Sequence, residues 1–457
     1  MTDHAPNTQL KALLVEAKLT YAATAHAVRA VAAEVGVTLA TSKAAVHHWA
    51  AYGTTPEDAT ARYLAEALSR RLGRRITRTD LGLSSPPTTD GDSIRLGPNP
   101  VEVLTTIGEA DVRRRRILTA SAYSLAAAVL PLHDVRETAE RTAAARRGAT
   151  IGTTEVDAAR TMVETFAALD ERLGGQHGRT AWAQYLITDI LPLCQAPART
   201  EALHRQMLSV AASAAHLAGW RAYDSGEQGL AQHYYLQSYK LAVTSNEPGQ
   251  GAFVLRTMAQ QALKLHHPAQ AVELATASLS RAAGAVPARV EALHHITHAH
   301  VAAHNGDQHA ARNSVDRAHA ALEAGRGEDV PPWSLAWGPP EGTVASRTAK
   351  VYQALGMHRH AADHHTRAAA SRPVDTYARI IGLDLAAAAE SHLALGNLEE
   401  ACATWSRALD HLHGVRSART RTAIADIRRD LAPFRARGVR CARELDERAA
   451  TLLRKDR

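Results

Sequence analysis

Gly226-Glu-Gln-Gly-Leu-Ala231 returns four times along this 457-residue chain, as His266-His-Pro-Ala-Gln-Ala271, Gly306-Asp-Gln-His-Ala-Ala311, Gly356-Met-His-Arg-His-Ala361 and Gly396-Asn-Leu-Glu-Glu-Ala401. The spacing is 40, 40, 50 and 40 residues, and an alanine always stands five positions after the first residue. Glycine reaches the left-handed conformation that ends a helix, and alanine lets the next helix approach closely. Each unit therefore reads as an antiparallel pair: an apolar helix, a turn and a second helix. One pair cannot bury its apolar face alone, so successive pairs stack into a solenoid. The ten extra residues before Gly356 coincide with Val330-Pro-Pro-Trp-Ser-Leu-Ala-Trp-Gly-Pro-Pro340, an irregular insertion. A sixth unit around Ala436 to Cys441 fits the pattern less well.

Composition agrees. Hydrophobic residues make up 46% and aromatics only 4%, with alanine dominant, which favours helices packed through small side chains over a sheet. The expected fold class is all-α. A net charge of +7 suits a polyanionic partner. Cys194, Cys402 and Cys441 show no metal or redox spacing and read as buried thiols of a reducing, cytoplasmic compartment. No secretory leader opens the chain. The run Leu118 to Leu132 behind Arg113-Arg114-Arg115-Arg116 looks like a twin-arginine export signal, but it is internal and short of the ~20 residues that span a bilayer. A basic-ended buried helix is expected there, and no membrane partner.

Working outward to the N-terminus, residues 1–83 read as a compact helical domain. Its centre is Thr41-Ser42-Lys43-Ala44-Ala45-Val46-His47-His48-Trp49-Ala50-Ala51-Tyr52-Gly53, a helix capped by hydroxyls at its start and glycine at its end. Val46, Trp49 and Ala50 form one packing stripe, which leaves Thr41, Ser42, Lys43 and His47 for the other side, the layout of a helix-turn-helix reading helix. His48 falls at the edge of the stripe, over Trp49. Arg70, Arg71, Arg74, Arg75 and Arg78 crowd the end of the domain, where they either grip phosphates or form a solvated basic face. Residues 84–100 are a Pro/Gly-rich linker, 101–154 connecting helices and 155–457 the tetratricopeptide-like repeat domain.

Val46-His-His-Trp49, the segment Ala67-Leu-Ser-Arg-Arg-Leu-Gly-Arg-Arg-Ile-Thr-Arg-Thr-Asp-Leu-Gly82, and Leu169 to His177 and Ala218 to Tyr235 in the array together resemble the Xre-like helix-turn-helix and tetratricopeptide regulators of actinobacteria. The architecture is also similar to the peptide-sensing RRNPP-type quorum receptors of Gram-positive bacteria. The resemblance implies that a signal binds the concave repeat surface and changes how paired reading domains are held.

Catalytic signatures are missing: no phosphate-binding P-loop, no Gly-x-Ser-x-Gly elbow and no Gly-x-Gly-x-x-Gly, so no enzyme and no cofactor are expected. The 25 histidines include pairs four apart, His294 and His298, His300 and His304, His360 and His364, without a third ligand at metal-binding spacing. Aromatics that line a groove are expected among Trp220, Tyr223, Tyr235, Trp333, Trp337 and Tyr352, although residues of this size at helical spacing also fill cores. The sequence is therefore read as a homodimeric, DNA-binding transcriptional regulator. Its repeat domain senses a small molecule or peptide and sets the spacing of two reading domains on double-stranded DNA. The competing reading is a tetratricopeptide-type adaptor that binds protein partners without reading DNA.

Overall fold

A computed structural model describes residues 5–34, 38–74, 76–83, 99–114, 150–335 and 338–455. Among these the architecture is all-α, and the single strand-like pairing is a parallel bridge between Ile151 and Ala198. The run Leu118 to Leu132 and most of the linker lie outside the described residues. No described helix is long and apolar enough to cross a membrane.

Four helices, α1 (Thr8–Glu16), α2 (Tyr21–Glu34), α3 (Lys43–Tyr52) and α4 (Asp58–Leu72), enclose one small core around Leu10, Leu14, Val28, Val46, Leu64 and Leu68. Asn7 locks this unit together: its side chain accepts from the Leu10 amide at 2.9 Å and donates to the Leu81 carbonyl at 2.7 Å. One residue thus caps a helix and holds the far end of the unit against it.

The helix α5 (Pro100–Arg114), together with α6 (Thr153–Leu173), α7 (Arg179–Tyr185) and α8 (Leu191–Gln195), forms a cap on the array. Buried Arg179 ties it down, at 2.9 Å from Asp111 of α5 and 2.6 Å from Glu227 of the first repeat turn. Six pairs follow: α9 (Glu201–Asp224) with α10 (Gln228–Thr244), α11 (Pro248–Lys264) with α12 (Pro268–Ala282), and α13 (Ala288–His304) with α14 (Gln308–Ala324). They continue as α15 (Pro340–Ala354) with α16 (His358–Ala370), α17 (Val374–Ala394) with α18 (Leu398–Leu412), and α19 (Ala418–Ala436) with α20 (Arg440–Lys455).

The turns within pairs fall where the repeat places them. Gly226, Gly306, Gly356 and Gly396 all have φ between 72° and 86°, and His266 takes the same conformation at 61°. Each turn closes with the same two bonds, shown by Gly226 N–H to the Tyr223 carbonyl and Glu227 N–H to the Ala222 carbonyl, so the helix-end carbonyls stay paired. The alanines five positions on, Ala231, Ala271, Ala311, Ala361 and Ala401, are fully buried. Within α9, Gly219 lets α10 come so close that a Cβ there would stand 2.6 Å from the Tyr235 ring.

The sixth unit is a complete pair turning at Gly438, φ 80°, but its buried alanine is Ala442, one position early. As the terminal unit it packs on one side only, which relaxes the pattern. Cys194 and Cys402 are buried as expected, whereas Cys441 is half-buried. Burial and a hydrogen bond with Cys441 push the Cys402 thiol up to about 12.

The array curls until its fifth pair meets the cap, with α17 packed on α6. At that closure Arg379 of α17 is fully buried between Asp170 at 2.8 Å, Glu171 at 2.9 Å and Asp224 at 3.2 Å. Backbone bonds add to it, Arg416 N–H to the Leu173 carbonyl and Gln176 N–H to the Arg416 carbonyl. Burial pushes the Glu171 carboxyl up to about 7, Arg379 opposes that, and neighbouring Asp170 reinforces it.

Three outcomes follow from these features. In urea denaturation, Gly306→Ala lowers stability by about 1 kcal/mol from backbone strain alone, since its Cβ meets nothing within 4 Å, while His266→Gly raises it. Arg379→Met removes the buried cation shared by Asp170, Glu171 and Asp224 and costs about 3–5 kcal/mol. The raised Glu171 carboxyl holds a proton in the folded state that the unfolded chain has released, so its contribution to stability falls as pH rises from about 4.5 to 7. Glu171→Gln is therefore more stable than the parent at pH 8, and the difference fades at pH 5.

Candidate functional site

Two surfaces bear on function: the outer face of α3 and the concave side of the array. In α3, Ser42 Oγ accepts from the Ala45 amide at 3.2 Å, and Gly53 ends the helix at φ 64°. Val46, Trp49 and Ala50 face inward, and Lys43 and His48 are exposed on the opposite side. Thr41 and His47 sit differently from the expectation. Thr41 is buried, because its carbonyl accepts from the Arg29 guanidinium and is drawn toward α2. His47 is half-buried, its ring edge-on to Tyr21 at 5.4 Å and Tyr52 at 5.5 Å, since α2 opens with an aromatic on that side. His48 takes the outward position instead.

The arginines at the end of α4 have partners inside the protein. Arg70 pairs with Glu66 at 2.7 Å, Arg71 donates to the Ala17 carbonyl at 3.0 Å and Arg74 pairs with Glu16 at 2.7 Å. Arg75 lies outside the described residues. The bonds of Arg71 and Arg74 pin the end of α4 to the end of α1, and the last turn of α4 borders the array. There Glu66 meets His267, Oε1 to Nε2 at 3.0 Å, and Gly73 rests on Pro268. Burial would raise the Glu66 carboxyl, but hydrogen bonds from His267 and Arg70 outweigh it and hold it down at about 2.

Beside this contact lies a groove of about 970 Å³, walled on one side by Arg70 to Gly73 and otherwise by the first helices of the pairs together with Tyr235, His266 and Pro268. The residue six positions before each turn residue faces it in all five units: Trp220, Gln260, His300, Lys350 and Glu390. Of the six expected ligand aromatics, Trp220, Tyr223 and Tyr235 line this groove, and they are not free platforms. Tyr235 is fully buried, Trp220 is buried and donates to Asp170 at 3.0 Å, Tyr223 is half-buried, and cations lie over the Trp220 and Tyr223 rings. Arg419 lies 5.2 Å from the Trp220 ring centre, and Lys264 Nζ 4.6 Å from that of Tyr223. Arg347 donates to Gln260, and Lys350 makes no hydrogen bond or ion pair among the described residues. Burial pulls the Lys350 ammonium down to about 7, with Arg347 and Arg419 adding to the effect.

Trp333 belongs to a second, more apolar cavity of about 830 Å³, where its ring meets Phe253 at 5.7 Å beside Val163, Leu217 and Tyr377. Tyr352 packs on His360 and His364, away from both cavities, and Trp337 lies outside the described residues. The paired histidines are held by polar neighbours or by rings: His294 by Ser278 at 2.7 Å, His298 by Ser314 at 2.9 Å, and His300 by His304 with ring centres 4.8 Å apart. Among the described residues no group of three His, Cys, Asp or Glu is placed to hold a metal.

The sequence reading missed Lys264, Arg347, Lys350 and Arg419, which come from three different helices and share no local motif. The repeat register held the signal. Counting six back from each turn finds the groove row, including Lys350.

The family described as the SP15 N-terminal domain matches residues 10–84, which is the four-helix unit alone. No curated protein matches the chain.

Glu66→Gln and His267→Ala test the seat of the four-helix unit. A half-exposed pair contributes about 0.5–1 kcal/mol, so amide exchange across residues 66–73 quickens about 2–5-fold while α13 and α17 are unchanged. Since the Glu66 carboxyl is depressed, the pair persists from neutral pH down past 4 and is lost as pH falls toward 2. Unaltered exchange in both variants removes this pair from the contact.

Proposed function

We propose that the chain is a DNA-binding transcriptional regulator whose four-helix unit reads DNA and whose repeat array senses a ligand. One observation carries the reading: the last turn of α4 forms a wall of the concave groove, so a ligand entering the groove meets the reading unit directly. Ligand affinity then depends on how that unit sits, and by linkage the unit's placement depends on ligand. The capped α3 supports the DNA role, with Lys43 and His48 exposed for base edges and the Ser42 hydroxyl at its start. Arg70, Arg71 and Arg74 have partners within the four-helix unit, and Arg70 and Arg71 also border the groove, which suits them to coupling the units more than to phosphates. One short helix reads few base pairs, so a homodimer on paired half-sites supplies specificity, and the ligand controls the spacing of its two reading units.

The test is selection from a random duplex pool by the full chain, followed by titration of the enriched sequence. A recovered motif with inverted symmetry is expected, with affinity falling steeply as salt rises. Lys43→Ala weakens binding about 5–100-fold, the range of a lost base contact. A pool that yields no shared sequence overturns the DNA reading and favours the adaptor, and a monomer in sedimentation, free and bound, overturns the paired-half-site arrangement.

A further inference from the structure

The groove has an electrostatic imbalance that the protein itself leaves open. Apart from Arg70, which is paired with Glu66, its charged lining comprises Arg71, Lys264, Arg347, Lys350 and Arg419 against one carboxylate, Glu390. Burial shifts that carboxyl upward, and the Gln353 amide donates to one of its oxygens at 3.2 Å. Two further acids act on these cations and both are engaged elsewhere: Asp224, 3.8 Å from Arg419, by Arg379, Ser417 and the Gly175 amide, and Asp384, beside Arg347 and Lys350, by Arg372, His365 and Ser346. Among the described residues Lys350 makes no hydrogen bond or close ion pair, and Lys264 lies against the Tyr223 ring. Cations gathered in a half-enclosed space repel one another and have lost part of their hydration, a cost that an anion removes.

We propose that the groove binds a small polyanion, a molecule with two or more phosphate or carboxylate groups, held by Arg347, Lys350, Arg419 and Lys264 against the rim supplied by Arg71. The regulatory meaning of this site rests on the proposed function above; the binding does not. Guanidinium groups from two helices give forked donors suited to phosphate and carboxylate oxygens, and the lysines add point charge. The Trp220 and Tyr223 rings act as supports that hold Arg419 and Lys264 in place, so recognition is by charge and not by stacking. The volume suits one small molecule, and the end of α4 walls one side, which disfavours a long extended peptide. A polyanion spanning Arg71 and Lys350 would fasten the four-helix unit to the array.

The experiment is calorimetric titration of the full chain, without DNA, with inorganic triphosphate, citrate, a hexaglutamate peptide and glucose. Saturable one-to-one binding of triphosphate or citrate is expected, and which of them binds tighter separates phosphate from carboxylate chemistry. Lys350→Gln and Arg347→Gln each weaken it at least 10-fold, whereas Arg312→Gln, on exposed α14 surface, leaves it unchanged. Circular dichroism and an unaltered urea midpoint establish that the variants fold. Absence of saturable binding by both small anions overturns the proposal, as does wild-type affinity in Lys350→Gln, or binding of hexaglutamate alone. Because no DNA is present, failure here leaves the DNA reading standing, and failure of the duplex selection leaves this result standing.

Discussion

Arg379 is the constraint on which the shape of the array depends. A stack of helix pairs has no intrinsic reason to close, since each pair contacts only its neighbours. Here the fifth pair reaches back to the cap, and a fully buried guanidinium is shared by carboxylates from α6 and α9. Such a cluster is a weak source of net stability, because desolvation consumes most of the attraction, but it tolerates only one arrangement of its members. Closure brings Trp220, Arg347, Lys350 and Arg419, from helices far apart in sequence, around one space. The groove is a consequence of the ion cluster next to it.

The repeat was legible because helix pairs state their own register: a left-handed turn residue and, five positions on, a side chain small enough to be overlaid. The packing stripe of α3 was legible for the same reason. Thr41 and His47 were misplaced because helical spacing says nothing about what neighbouring helices put on that side, here Arg29 and Tyr21. The aromatics were found, but their surroundings were not. No reading of Trp220 or Tyr223 alone reveals that Arg419 and Lys264 lie over them, since that follows only from the curl. The irregular insertion drew attention to Trp333, which does line a cavity, though not the one that touches the four-helix unit.

The two cavities have opposite character. One is basic, open and bordered by the four-helix unit; the other is apolar and bordered by the insertion and the cap. Any signal that repositions the N-terminal unit has its shortest route through the first, where a bound group and the end of α4 share a wall.

The turn at His266 carries a further implication. Four of the five aligned turns use glycine, and here a histidine holds a left-handed backbone that disfavours it by roughly 1–2 kcal/mol. The next two residues, His267 and Pro268, are those on which Glu66 and Gly73 rest. The array departs from its own rule at the place where something other than the array is seated. A defect in periodicity therefore serves as an address: among otherwise interchangeable units, the one that breaks the pattern marks where a foreign surface lands.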